Sequence, residues 1–116
     1  MMRKLILAGV VCAFAGAAHA AELDTSRCAF PEAPEVPDGA EASEEEMGAA
    51  GAAVKEYVEG VQASLQCLAE VEQSMGEDIT EEQQGELVDT YNDGVERMNA
   101  VADRYNEQVR VYKGEE

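Results

Sequence analysis

The sequence predicts an all-α protein: an antiparallel, coiled-coil-like two-helix hairpin with an extended N-terminal arm disulfide-linked to the first helix. Three observations predict it. Two stretches of equal length, 44–75 and 81–112, repeat apolar residues at alternating steps of three and four. A short break holding Gly76 separates them, and short helix connections make antiparallel neighbours. All three prolines, Pro31, Pro34 and Pro37, precede both stretches.

The first twenty residues stand outside this plan. Arg3 and Lys4 give a positive start, Leu5 to Ala18 is apolar but short for a bilayer span, and Ala18-His19-Ala20 offers small residues where a signal peptidase reads. The expectation is a signal peptide over 1–20, cleaved after Ala20, and a periplasmic or secreted product with no membrane span. Cys12 and the single histidine, His19, would leave with it.

The mature chain would keep six bases against all 25 acids, a formal charge of −19, compared with −17 for the whole sequence. So acidic a surface repels nucleic acid and anionic headgroups. Tryptophan is absent, so the core has to be thin and aliphatic.

The arm, 21–43, reads as extended because each proline fixes its own φ and disfavours helix at the residue before it. Pro37-Asp38-Gly39 reads as a turn in which glycine takes a positive angle. Phe30 and Val36 have little use in a solvated tail. Cys28 and Cys67 would sit in an oxidising compartment, where one internal disulfide is the default.

The first helix opens with Ser43 and Glu46, spaced as a capping box, and with Glu44 to Glu46 where the dipole favours negative charge. Its seam runs Met47, Ala50, Val54, Tyr57, Val61, Ser64, Leu68, Val71 and Met75. Ser64 is the polar slip, and Leu65 beside it can lean in. Gly76 suits a helix stop. Thr80 and Gln83 open the second helix with another capping box. Its seam runs Val88, Tyr91, Val95, Met98, Ala102, Tyr105, Val109 and Tyr112, with Arg110 and Lys113 at the end that suits positive charge. Thirty-two residues make a rod of about 48 Å. Folding at the break pairs Val61 with Val95, Leu68 with Val88, Tyr57 with Met98 and Ala50 with Tyr105.

The stripes beside the seam carry the candidate sites. On one flank Ala53, Gly60 and Cys67 meet Leu87, Gly94 and Val101, a shallow groove with a small-residue floor. The arm is expected there, tied by Cys28 to Cys67, with Phe30 and Val36 filling the groove. On the other flank lie Val58 and Leu65, opposite Asn92, Asn99 and Asn106. The three asparagines, spaced by seven, make a candidate partner-reading stripe, although a solvated edge fits them better. Val58 and Leu65 are the contact candidates if two hairpins pair into a four-helix bundle.

Catalytic chemistry is thin. Without histidine after cleavage there is no Ser-His-Asp triad and no histidine-ligated metal or haem. Asp89, Asp93 and Gly94 lack the later ligands of a calcium loop. Met47, Met75 and Met98 suit core filling better than copper. No catalytic residue, metal ligand or cofactor is expected.

Cys28, Pro34, Pro37-Asp38-Gly39, Glu45, Met47, Val54, Lys55, Tyr57 and Cys67-Leu68 together give the chain a resemblance. It resembles small, uncharacterised exported proteins of Gram-negative bacteria across the first half of the mature chain. The resemblance implies an exported helical protein and no particular chemistry. The reading is therefore a non-enzymatic periplasmic hairpin acting on a protein partner or on itself, as a homodimer. The alternative is an acidic binder of metal cations or cationic peptides.

Overall fold

A computed structural model describes residues 23–115. The expected signal peptide and the first two residues of the arm lie outside the described residues. Two α-helices, α1 (Glu44–Met75) and α2 (Glu81–Tyr112), fold back on each other as a hairpin. Single 3-10 turns stand at Ser26–Cys28 in the arm and at Gly76–Asp78 between the helices. Among the described residues there is no strand, and no helix is long and apolar enough to cross a membrane.

Side chains and one glycine fix the helix ends. At Thr80 the capping box is complete: the Gln83 amide donates to Thr80 Oγ1 at 3.1 Å and the Thr80 amide donates to Gln83 Oε1 at 3.0 Å. At Ser43 only half of the expected box forms. The Glu46 amide donates to Ser43 Oγ at 3.1 Å, and that hydroxyl in turn donates to Glu46 Oε1 at 3.2 Å. The carboxylate, a strong acceptor, takes the hydroxyl in place of the Ser43 amide. Gly76 ends α1 with φ +53° and donates its amide to Glu72 O, a conformation that a side chain would oppose.

The two helices share the core unequally. On α1, nine residues are buried: Met47, Ala50, Val54, Tyr57, Val61, Ser64, Leu65, Leu68 and Val71. On α2 only Leu87, Gly94 and Val101 are. The expected α2 seam is therefore corrected. Val95, Met98 and Tyr105 are half-buried against the core, while Val88 is 50% exposed and Tyr91 42%. The reason is a third body. The arm packs on the hairpin, so the α2 stripe turned toward the arm is enclosed from two sides. The stripe facing α1 alone is not.

Candidate functional site

The arm is the part of the chain most closely fitted to its neighbours. The Cys28–Cys67 disulfide ties it to α1 across 39 residues of sequence, with the two Cα atoms 5.4 Å apart. From there it runs along the hairpin toward the start of α1. Ser64 Oγ lies 3.0 Å from the Ala29 carbonyl and 3.0 Å from the Gly60 carbonyl, so its hydroxyl can donate to the arm or to its own helix. Ser64 is thus no slip in the pattern: it is a buried anchor for the arm backbone. Among the described residues no buried side-chain N or O lacks a hydrogen-bond partner.

Glycines let the arm lie close. A β-carbon on Gly60 would come within 2.9 Å of Pro31 Cγ, and one on Gly94 would run into the Phe30 ring. Phe30 therefore fills the space that the missing Gly94 side chain leaves, and Pro31 does the same at Gly60. Leu87 and Val101 flank Gly94 and are buried. Farther along, Pro34, Val36 and Pro37 lie against Ala49, Ala50 and Ala53.

The arm ends at its turn. The Asp38 carbonyl accepts from the Glu41 and Ala42 amides at 3.1 and 2.9 Å, and Asp38 Oδ1 accepts from the Ala40 amide at 3.0 Å. Gly39 does not adopt the positive φ expected of it. Its role is close approach. Its amide donates to Gln108 Oε1 at 2.8 Å, and a β-carbon there would strike the Gln108 carbonyl oxygen and come within 2.9 Å of Tyr112 N. Gln108 has no signal in the sequence, because nothing in its type or spacing separates it from the other polar residues of α2. Tyr105 adds a tie between the helices: its hydroxyl donates to the Met47 carbonyl at 3.4 Å.

The opposite flank is differently built. Leu65 is 8% exposed and Val58 half-buried, so neither is the free contact surface expected of them. Leu65 is part of the buried core, beside Ser64 and its contact with the arm. Asn92, Asn99 and Asn106 are exposed. Large apolar side chains are exposed instead at the seam positions Val88 and Tyr91. With Leu68, Ala69, Glu72 and Leu87 they line a half-open cavity of about 130 Å³ near the turn end of the hairpin. Sequence reasoning missed this cavity because it placed Val88 and Tyr91 inside the pair.

Charge is uneven along the hairpin. From Glu56 to Glu96 the chain carries twelve acids and no lysine, arginine or histidine. Among the described residues Arg27, on the arm, stands with Asp24 beside Val71, Ser74 and Met75 and does not line the half-open cavity. Among the described residues the one ion pair is Arg97 with Asp93, at 3.0 Å and exposed. At the start of the arm, hydrogen bonds from the Ser26 hydroxyl and amide hold the Asp24 carboxyl below its ordinary range. Among the described residues no group of three or more His, Cys, Asp or Glu is arranged to hold a metal ion. Met47 is buried, and Met75 and Met98 are half-buried against the core.

The chain matches no family model, no curated protein and no solved structure.

Proposed function

We propose that this protein is an exported, non-enzymatic helical hairpin that works by contact with another protein or with a second copy of itself. The observation that carries the reading is the exposure of Val88 and Tyr91 at seam positions. Large apolar side chains grouped around a cavity are a feature of contact surfaces, whereas single scattered ones are ordinary. The coiled-coil-like repeat of both helices supports the same reading, since such faces suit other helices. Export is supported by the charged and apolar pattern of the first twenty residues and by a disulfide, which persists in oxidising compartments.

Mass measurement by light scattering over a concentration series, with and without periplasmic extract, tests it. The expected result is a concentration-dependent dimer or a retained partner. A strict monomer that retains nothing would overturn it.

A second reading rests on the charge. Twelve acids without a base between Glu56 and Glu96 favour a diffuse binder of metal cations or cationic peptides. Calorimetric titration with calcium, copper(I) and a polycationic peptide distinguishes it. Heat that vanishes at moderate salt supports it, and no heat at low salt removes it.

A further inference from the structure

Within the reading of this protein as a contact protein, on which the following rests, we infer that the half-open cavity at Leu68, Ala69, Glu72, Leu87, Val88 and Tyr91 is the docking site. Its occupant is a lysine- or arginine-rich segment of another protein that inserts one apolar side chain. Three features of the cavity select that occupant.

The first is size. About 130 Å³ is close to the volume of roughly 150 Å³ that accepts a benzene ring in an engineered apolar cavity. One aromatic or aliphatic side chain fits such a space, and a whole helix face does not. The second is composition. Leu68, Ala69, Leu87 and Val88 make apolar walls, while the Tyr91 ring and the Glu72 carboxylate bring polar groups to the lining. An apolar residue with a cationic neighbour satisfies both, through burial, attraction to the carboxylate and contact of a cation with the tyrosine face.

The third is the surrounding field. The cavity lies in the Glu56 to Glu96 stretch, which has twelve acids and no base. Arg27, the base at this end, sits on the arm flank beside Val71 and Ser74. A second copy of this chain would bring the same acidic stretch onto itself, and a face-to-face pairing at this site would set like charges together. Repulsion of that kind disfavours a partner. A basic segment is drawn in by the same field, and its association rate falls with salt.

The test is fluorescence anisotropy of a labelled helical peptide made of lysines around a single phenylalanine, titrated with the purified protein. The controls are the same peptide with the phenylalanine replaced by alanine, and polylysine of equal charge. The expected result is saturable binding that weakens at least about tenfold in each of three cases. These are loss of the phenylalanine, the variant Tyr91→Ser and the variant Val88→Ser. Binding also weakens steeply when ionic strength rises from about 0.05 to about 0.5 M. Val111→Ser removes an equally exposed apolar side chain, 39% accessible, near the end of α2; it leaves binding unchanged. Both α2 positions are substantially exposed, so thermal unfolding of the variants follows the parent and separates misfolding from lost docking.

Polylysine binding as well as the anchored peptide, with no effect of Tyr91→Ser or Val88→Ser, would overturn the inference in favour of diffuse charge. Self-association abolished by the same two variants, with no peptide binding, would overturn it and leave the contact reading standing. A monomer that binds no peptide and retains no protein would overturn both.

Discussion

α1 and α2 have the same length, the same kind of cap and the same repeat, yet α1 buries nine residues and α2 three. The difference is in what covers them. α1 is packed by α2 and by the arm, which the disulfide and Ser64 hold directly to it. α2 meets the arm at Gly94 and again at Gln108, buries only Leu87, Gly94 and Val101, and leaves Val88 and Tyr91 at the surface. A heptad repeat therefore names the residues able to enter a core. How closely the neighbouring segments cover each stripe decides how many do so.

The most direct way to break this asymmetry is to free the arm. Cys28→Ser, or reduction of the parent protein, is expected to cost about 4 kcal/mol in the chain-entropy account of a loop of about 40 residues. Denaturant unfolding with and without reductant measures it. A change below about 1 kcal/mol would mean that the arm adds little to α1.

The next test sets the two helices against each other at one level of the hairpin. Leu68→Ala removes a side chain only 3% exposed and is expected to cost about 2–5 kcal/mol. Val88→Ala, on the facing helix, is expected to change stability by less than about 1 kcal/mol. Equal losses in the two unfolding curves would place Val88 in the core after all.

Glycines sharpen the comparison further. Gly60→Ala and Gly94→Ala push into Pro31 and Phe30, and each is expected to destabilise by about 1–3 kcal/mol, as overpacking does. Gly48 and Gly85 have open space where a β-carbon would go. Alanine there should stabilise by about 0.5–1 kcal/mol through helix propensity. Thermal melts of the four variants should fall into two groups of opposite sign.

The smallest effect lies at the start of the arm. The Asp24 carboxyl is held low by its Ser26 hydrogen bonds, so any stability it contributes is present above its unfolded pKa. That contribution is lost as pH falls through the lower folded value. Ser26→Ala should raise the Asp24 midpoint in an NMR titration while leaving the melting temperature at neutral pH nearly unchanged. An unmoved midpoint would remove Ser26 as the cause.

The disulfide and the arm flank were readable in advance because they rest on spacing. Gly60 and Cys67 stand seven apart, as do Leu87, Gly94 and Val101, and two cysteines behind an expected signal peptide are expected to pair. Ser64 and Gln108 were not readable as arm contacts. A buried serine in a seam looks like a fault until the Ala29 carbonyl is seen 3.0 Å away. Val88 and Tyr91 were misplaced because periodicity reports angular position on a helix and says nothing about what stands opposite. Gly39 was assigned a positive φ by turn statistics, whereas its need is to let two backbones touch.

Local chemistry, present in the chain itself, determined the helix starts at Ser43 and Thr80, the stop at Gly76, the equal rods and the acidic balance. These follow from caps, propensity and charge, which act over a few residues. Only the tertiary structure decided which stripe of α2 is enclosed, which polar groups hold the arm and where an apolar cavity stays open. Those depend on how three segments distant in sequence divide one thin core, and no repeat within a single helix records that division.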